Sequence, residues 1–433
     1  MDKEMINIDV LVIGGGAAGT NAAIAAARQG LKVILIESQG CLGGSRTATG
    51  VDTFYGFYTP GESQRRIVGG IPWEIVERLK DKNACLERAN TYGAGTGITY
   101  DVEQLKIVYE EMALEAGVTL LYHTYACQVN TENNQISSIV VANKNGLTEI
   151  KAKRYIDTSG DGDIAARSGV PFEKSSRDEM QSLSTIFFLG NVNVEEAKKV
   201  THEELVMHMK QANNSGHFKL PREDGSWHIT PNPGVVQCNM VRVPGVDATD
   251  PFAVTLAEIK GRKQVQEYTR FLKEKVRGFN QSFLISTSQH IGVRETRRIL
   301  GEYVLTEEDV LQATKFDDGI ACCGAPVEDH QPGSGTRWAY VQGDGIYHIP
   351  YRALVPKVID NLIVAGRCLS ATHGALASAR NSAQCMAMGQ AAGTAAAICI
   401  EENVVFRAID VEALESRLLN RNVIIDDAIE TAI

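Results

Sequence analysis

Three glycines near the N-terminus, Gly14, Gly16 and Gly19, have the spacing of a loop that binds phosphate. They follow a short apolar run and open an alanine-rich stretch, which predicts a strand, a tight turn and a helix. Gly14 allows the turn, Gly16 leaves bare backbone against a pyrophosphate, and Gly19 lets the helix pack on the strand. The first helical residues, Ala17 and Ala18, then present amide donors and a partial positive charge to the phosphates.

A carboxylate follows the second strand of this strand–turn–helix–strand unit, at the position that contacts a ribose in dinucleotide-binding folds. The second apolar run, residues 32–36, ends at Glu37 and is followed by Ser38. An acidic side chain at this point accepts hydrogen bonds from both hydroxyls of an adenosine ribose, and it repels a 2′-phosphate. Because turn, helix and carboxylate occur together in one short unit, they predict a dinucleotide cofactor rather than a purely structural turn.

The other glycines are grouped rather than spread. The chain has 40 glycines against 12 prolines, and beyond the first loop they gather at 40–50, 160–162, 366–374 and 389–393. Glycine marks places where backbone approaches something closely. A nicotinamide cofactor is held within the first sheet, whereas FAD also needs distant segments along its ribityl chain. With one such loop and several later clusters, the sequence favours FAD, and an NAD-dependent dehydrogenase is the alternative.

Periodicity predicts the elements around these clusters. Apolar positions have helical spacing over 73–80 and 101–116, with Gly117 closing the second helix. Residues 118–156 alternate as strands of a meander, and Asn133 begins one of its turns.

The composition changes in the middle of the chain. Between 171 and 344, Trp, His and charged residues increase, and 195–213 and 253–277 read as amphipathic helices. The composition of the first part of the chain returns at residue 361, with another predicted strand, loop and helix. We therefore expect one domain from residues 1–170 and 345–433, with residues 171–344 inserted as a second domain.

Composition excludes several classes of protein. The chain has 433 residues and a net charge of −10, which opposes binding to nucleic acid or anionic lipid. The sequence shows no apolar, uncharged window of the ~18 residues that a membrane span needs. The N-terminus has no secretory pattern, which predicts a cytoplasmic protein. Nine scattered cysteines lack the spacing of a metal site, and the adjacent Cys322 and Cys323 are expected to be buried thiols.

The sequence resembles the FAD-dependent oxidoreductase family, whose members are distantly related to fumarate reductase flavoproteins. The similar segments are 12–19, 40–44, 156–163, 291–298, 351–356 and 361–367, with the glycine-rich stretch that continues to Gly393. The resemblance implies an α/β fold, with a Rossmann-like FAD-binding domain of the glutathione-reductase type and an inserted α+β substrate domain. It implies redox catalysis without identifying one substrate.

The resemblance and the glycine clusters together give a set of expected cofactor contacts. In the wider flavoprotein group an Asp near the C-terminus meets the ribityl chain, but here that position is Arg367, so Asp161 or Asp163 is expected to contact the cofactor instead. A helix predicted to begin near Met388 would point its N-terminus at the flavin. The contacts added to those of the first loop, Glu37 and Ser38 are Gly43, Gly44, Ser45, Arg46, Gly160, Asp161, Gly366, Arg367, Gly389, Gln390 and Ala391.

Four residues are the leading candidates for catalysis. His373 and Arg380 lie between the last cofactor strand and the predicted flavin-facing helix. His290 and Arg294 lie in or beside a family-like segment, and a cation there can bind a substrate anion. Arg294 fits equally well a salt-bridged helix face. His330, Tyr347 and His348 are further acid–base candidates.

These observations predict an FAD-dependent oxidoreductase that transfers a hydride between a small organic substrate and flavin N5. The bond oxidised or reduced, C–C, C–N or C–O, stays open. Besides the NAD-dependent dehydrogenase, the alternatives are a flavin-bound electron-relay subunit and a flavoenzyme without net redox change. No metal, nucleic acid or membrane span is expected, and a redox partner protein or a homo-oligomer remains open.

Overall fold

The computed structural model describes residues 6–61, 64–89, 94–330, 335–425 and 429–430. In chain order the strands are β1 (Ile6–Ile13), β2 (Val33–Ile36), β3 (Thr53–Phe54), β4 (Arg65–Arg66), β5 (Cys85–Ala89), β6 (Thr96–Tyr100), β7 (Thr119–Leu121), β8 (Tyr125–Glu132), β9 (Gln135–Asn143), β10 (Gly146–Asp157), β11 (Phe172–Lys174), β12 (Phe187–Gly190), β13 (Ser226–Ile229), β14 (Val236–Asn239), β15 (Phe283–Thr287), β16 (Arg297–Ile299), β17 (Gly319–Cys323), β18 (Val327–Asp329), β19 (Arg337–Ala339), β20 (Tyr347–Pro350), β21 (Leu362–Val364) and β22 (Ile429–Glu430). The helices are α1 (Ala17–Ala27), α2 (Gly70–Asp81), α3 (Val102–Glu115), α4 (Asp163–Arg167), α5 (Val194–Ala197), α6 (His202–Asn214), α7 (Pro251–Lys275), α8 (Glu307–Leu311), α9 (His373–Ala379), α10 (Ser382–Glu401) and α11 (Val411–Leu419).

The main sheet is mostly parallel around β1. Its order is β7-β2-β1-β10-β9-β8, and β21 pairs with the end of β10. Strands β7, β2, β1, β10 and β21 run parallel, so their carboxyl ends meet at one edge, where ligands of open α/β sheets bind. The predicted meander is confirmed as β8–β10, with both residues of the Asn133-Asn134 turn at positive φ. The predicted helices at 73–80 and 101–116 are α2 and α3.

Helices α1 and α10 pack with their backbones in contact. A Cβ added to Gly389 would lie 2.0 Å from the carbonyl oxygen of Ala18, and one added to Gly393 would lie 2.2 Å from that of Ala22. These glycines therefore serve the contact between two helices. The prediction that this helix begins near Met388 is wrong, because α10 begins at Ser382, almost two turns earlier.

The prediction that the chain has no apolar, uncharged window of ~18 residues is also wrong. Helix α10 is long and apolar enough to cross a membrane by length and composition alone. In the fold, 94% of its most apolar window is buried inside the protein. Its apolar character is explained by its place in the core between α1, α2 and β17. The predicted cytoplasmic location stays a prediction.

A second hydrophobic core lies in the middle of the chain. A sheet of order β13-β14-β12-β15 packs with α6 and α7. Helix α7 is the one predicted at 253–277, whereas the single helix predicted at 195–213 is divided into α5 and α6. The buried apolar residues of this core come from 183–291. Those between Leu305 and Val327, which the sequence placed in the inserted domain, pack into the first core instead. The domain limits 171–344 stay a prediction. Cys322 and Cys323 are buried thiols on β17, as expected.

The α1–α10 contact gives a direct test of stability. We expect Gly393→Ala to lower the free energy of unfolding by about 3 kcal/mol, because the new methyl group overlaps the backbone of α1. This loss exceeds the gain of about 1 kcal/mol that alanine brings as a helix former. Gly117→Ala is the control, since its Cβ meets open space and only positive φ is strained, at about 1 kcal/mol. Equal urea midpoints for the two variants would contradict the packing argument.

Candidate cofactor and active site

The turn between β1 and α1 gives each of its glycines a separate role. Gly14 has φ +96°, and its Cβ would lie 2.6 Å from the Thr158 carbonyl oxygen. A Cβ on Gly19 would lie 1.8 Å from the Gly14 carbonyl oxygen. Gly16 has an ordinary extended backbone, and its Cβ would meet no atom within 4 Å. Gly14 and Gly19 are therefore required by the fold, whereas Gly16 borders open space.

The N-terminus of α1 is suited to an anion. Gly16 is its N-cap and offers no side-chain acceptor, and its first turn has no acidic residue. The amide groups at this end therefore lack a capping side chain, and the partial positive charge of the helix is not offset nearby. This eleven-residue helix and the open face of Gly16 together form a cradle that fits a pyrophosphate.

Glu37 is tied to the same turn. Its side chain is buried, and Oε2 accepts a hydrogen bond from the Gly15 amide at 2.7 Å. Oε1 accepts from the Gln39 amide at 2.8 Å and from the Ser38 hydroxyl at 2.9 Å. These bonds hold the carboxylate at the end of β2, beside the phosphate turn. Its contact with a ribose stays a prediction.

A cleft of about 440 Å³ opens at the carboxyl edge of the main sheet. Its walls come from the ends of β1, β2, β10 and β21, from the loop at 44–49, and from 290–293. The predicted cofactor residues that line it are Gly14, Gly16, Ala17, Ala18, Glu37, Ser38, Gly44, Ser45, Gly160, Asp161, Gly366 and Arg367. Residues more than 300 positions apart in the chain thus meet in one cleft.

Six predicted cofactor residues are not among those that line the cleft: Gly19, Gly43, Arg46, Gly389, Gln390 and Ala391. The structure gives each of the larger side chains another partner. Arg46 donates to the Thr53 carbonyl oxygen at 3.1 Å, and the Gln390 amide oxygen accepts from the Ile71 amide at 2.8 Å. Because α10 begins earlier than predicted, Cys385 in its first turn borders the cleft instead.

Arg367 and Asp161 form an ion pair of 2.8 Å at the wall of the cleft. Thr296 donates to the same Asp161 oxygen at 2.6 Å, and Asp163 pairs with Arg297 at 2.9 Å. Both acidic candidates for the cofactor thus already carry a cationic partner. The unusual arginine in this position is neutralised locally by Asp161.

Asp157 supports a loop at the cleft and was not among the predicted site residues. It is fully buried at the end of β10 and accepts bonds from the amides of Ser159, Ile164 and Ala165. Burial raises its pKa, while these bonds act in the opposite direction. The carboxylate thereby shapes the loop around Gly160. Its place at the end of a strand, three residues before the Gly160-Asp161-Gly162 run, was an available signal.

His290 is the imidazole that lines the cleft among the described residues. Its Nδ1 lies 3.2 Å from the Thr49 hydroxyl and 3.3 Å from the carbonyl oxygen of Ile291. When Nδ1–H donates to the carbonyl, Nε2 carries a lone pair that can accept a proton. His290 is therefore placed to act as an acid or base at the cleft.

His373 lies between two buried carboxylates. Its Nδ1 is 2.8 Å from Glu295 and its Nε2 is 3.1 Å from Asp329. Hydrogen bonds from both ring nitrogens to Asp329 and Glu295 raise the pKa of His373 to about 9. The imidazolium then has no lone pair, and it lines a separate cavity with Ser175 and Arg298. The structure therefore does not bring His373 to the cleft.

Arg294 and Arg380 lie close enough for their charges to repel each other. Arg294 donates to the Ser184 hydroxyl at 2.9 Å, and Arg380 donates to the Glu328 carbonyl oxygen at 3.1 Å. Burial lowers the pKa of Arg294 to about 9, and the nearby Arg380 acts in the same direction. The alternative of a salt-bridged helix face is wrong, because β16 begins at Arg297 and the described residues give Arg294 no ion pair.

A polar cavity of about 310 Å³ lies between the loop at 51–55, β5 and the sheet of the second core. Most residues that line this polar cavity were not predicted from the sequence, because they come from separate strands with no shared motif. Those with polar side chains include Asp52, Arg88, Arg222, His228, Gln237 and Glu328.

His330 also lines this polar cavity. Burial lowers the pKa of His330 to about 3, with the positive charge of Arg294 acting in the same direction. The neutral ring lies with Nε2 3.0 Å from Glu328 and Nδ1 3.0 Å from the Thr336 hydroxyl. Donation from Nε2 to the carboxylate leaves Nδ1 to accept from Thr336, so both nitrogens are used. Tyr347 and His348 are buried on β20 and do not line the cleft.

The His373 network predicts a pH-dependent stability. The folded pKa of about 9 lies above the usual value near 6.5, so the stabilisation is complete below about pH 6.5 and is lost as the pH rises towards 9. We expect this group to remove on the order of 2 kcal/mol of unfolding free energy between pH 6 and 9.5. Urea titrations of His373→Gln should lack this loss, whereas the exposed control His217→Gln should keep it. Parallel pH profiles for the native chain and His373→Gln would contradict the assignment.

Comparison with known proteins adds the family. The sequence profile described as FAD dependent oxidoreductase matches residues 9–418. The digeranylgeranylglycerophospholipid reductases of Thermoplasma acidophilum and Thermoplasma volcanium are each 24% identical over 159 residues. These matches cover 36% of this chain and only 40% of the length of either reductase.

Solved structures add the fold. Anhydrotetracycline hydroxylase OxyS from Streptomyces rimosus has a TM-score of 0.50 at 12% identity, over 96% of this chain and 66% of that one. A geranylgeranyl bacteriochlorophyll reductase-like protein from Thermoplasma acidophilum has a TM-score of 0.49 at 14% identity, over 96% and 84% of the two chains. At this identity the likeness to OxyS shows a shared fold alone. Because the family profile extends from β1 into α11 and includes every segment that forms the cleft, the chain belongs to the FAD dependent oxidoreductase family, and it is an enzyme whose cofactor is FAD.

Proposed function

We propose that the chain binds FAD non-covalently, in a fold of the glutathione-reductase type, and transfers a hydride between a small organic substrate and flavin N5. The observation that carries the proposal is the cradle at Gly16. Its bare backbone and the uncapped N-terminus of α1 open into a cleft whose other wall comes from Gly366 and Arg367. FAD bound there supplies an acceptor or donor of two electrons at its isoalloxazine ring.

The residues of the cleft divide the work of binding. The first amides of α1 bind the pyrophosphate, and Glu37 receives the adenosine ribose, as its position at the end of β2 supports. The loop shaped by Asp157 places the backbone of Gly160 beside the cofactor. The first turn of α10 borders the cleft at Cys385 and brings the positive end of that helix towards charge that develops on reduction.

The second core supplies the substrate side. His290 follows β15 and enters the cleft from that side, where it holds or moves the proton that accompanies hydride transfer. The polar cavity lies between the two cores and receives the substrate. His373, which the sequence favoured for the proton, instead holds α9 against Glu295 and Asp329.

Cofactor binding is tested at Gly16. We expect Gly16→Val to fold with an unchanged melting temperature, because its φ suits any residue, but to purify without flavin absorbance, because the side chain fills the cradle. Gly335→Val, where a Cβ also meets open space, is the matched control and should purify yellow. A yellow Gly16→Val with full FAD occupancy would overturn the cradle. A native chain that is colourless and releases no flavin on denaturation would support the NAD-dependent alternative.

The acid–base role is tested at His290. After small molecules are screened for anaerobic bleaching of the flavin, we expect His290→Gln to slow that bleaching by about 100-fold while FAD occupancy is unchanged. His217→Gln, an exposed histidine on the second core, is the control. Unchanged bleaching in His290→Gln would remove this residue from the mechanism. Turnover without any bleaching would point to a flavoenzyme with no net redox change.

A further inference from the structure

Arg294 and Arg380 are charged groups with no described carboxylate in direct contact. Among the described residues neither guanidinium has a carboxylate within 4 Å, whereas the neighbouring Arg297 and Arg298 each pair with acidic side chains. The partners of the pair are neutral: the Ser184 hydroxyl, the Gln181 amide oxygen and backbone carbonyl groups. An enclosed cation without an anion costs several kcal/mol, so its retention calls for an explanation.

The acidic groups nearby are already engaged. The Glu328 carboxylate lies 3.0 Å from His330 Nε2, and Glu295 is bonded to His373 and Arg298. Asp224 pairs with Arg222 at 2.7 Å. The charge of Glu328 attracts both arginines, but no described carboxylate contacts either guanidinium group.

Unused hydrogen-bond donors surround the same pair. Arg380 Nε, the Gln181 amide nitrogen and the Ser182 hydroxyl are buried and have no partner. Gln181 and Ser182 are also the residues whose oxygens the two arginines contact. Two cations and three unused donors in one cluster indicate a missing acceptor of negative charge.

Residues beside the arginine pair line both the cofactor cleft and the polar cavity. Val293, which precedes Arg294, lines the cleft, as does Cys385 in the turn after Arg380. On the other side Arg380 bonds to Glu328, whose side chain lines the polar cavity. An anionic group held here would sit between the flavin and the rest of a bound molecule.

The polar cavity has buried hydrogen-bond acceptors for which no donor is found among the described residues. Asp52 Oδ2 and Gln237 Oε1 are buried, line this cavity and have no hydrogen-bond partner. Asp52 uses its other oxygen for His228 Nε2 at 2.8 Å. Both unused atoms are acceptors, so they call for donors such as hydroxyl or ammonium groups. A cavity of about 310 Å³ suits a small molecule.

We propose that Arg294 and Arg380 bind a carboxylate of the substrate, and that Asp52 and Gln237 accept hydrogen bonds from hydroxyl or amino groups of the same molecule. The substrate class is then a small hydroxy- or amino-carboxylic acid. The proposal rests on the proposed function, because it places this molecule beside the flavin. A guanidinium pair matches the two oxygens of a carboxylate in geometry and charge.

The test measures binding to the oxidised, purified protein by calorimetry, without turnover. The probes are a panel of hydroxy and amino acids, the methyl ester of each, and phosphate monoesters of similar size. We expect at least one acid to bind with its ester more than 10-fold weaker. Arg294→Gln and Arg380→Gln should each weaken that acid by about 100-fold with flavin content unchanged, whereas the surface control Arg407→Gln should not.

Several results would overturn the proposal: equal binding of acid and ester, binding of phosphate monoesters alone, no binding across the panel, or Gln variants with native affinity. Stability without ligand gives a second measure. If the two arginines serve to bind an anionic ligand, Arg294→Met and Arg380→Met should keep or raise the melting temperature of the ligand-free protein. A lower melting temperature would indicate a structural role. If the purified protein lacks FAD but still binds the acid, the anion site is supported and the proposed flavin function is rejected. Failure of the anion site and failure of the proposed function therefore give different results.

Discussion

The backbone contact between α1 and α10 is the constraint on which the structure depends. Gly389 and Gly393 let α10 lie against the carbonyl groups of Ala18 and Ala22, close to the end of α1 that faces the cleft. A helix from the last quarter of the chain is thereby held beside the first turn of the fold. The same contact helps to explain why α10 carries no charge before its last residue, Glu401, since nearly every residue before that end is buried against α1 and its other neighbours.

Parallel strands convert this packing into a cleft. Strands β1, β2, β10 and β21 end at one edge, and each is followed by a segment that the cofactor needs. Glu37 reaches back to the Gly15 amide, and Asp157 bonds the loop that carries Gly160. Two carboxylates thus fix the shape of the backbone around the site before any ligand is considered.

Charge is distributed unevenly across the segment 290–298. His290 enters the cofactor cleft and Arg294 has no described carboxylate in contact, while Glu295 and Arg298 join the bonded network around His373. One short stretch therefore contributes both to the candidate chemistry and to the stability of its support. The paired charges stabilise the fold, whereas burial lowers the pKa of Arg294.

The sequence by itself determined the βαβ unit, the separate roles of Gly14, Gly16 and Gly19, the meander and the FAD cofactor, because each depends on local spacing and backbone freedom. It misjudged the start of α10, the contacts of Gln390 and the setting of His373. Whether a histidine has a free nitrogen, or an arginine a counter-ion, depends on side chains that are hundreds of residues away in the chain. Only the tertiary structure, by bringing Asp329 and Glu295 to His373 and no described carboxylate into contact with Arg294 or Arg380, decided which polar residues are paired within the fold.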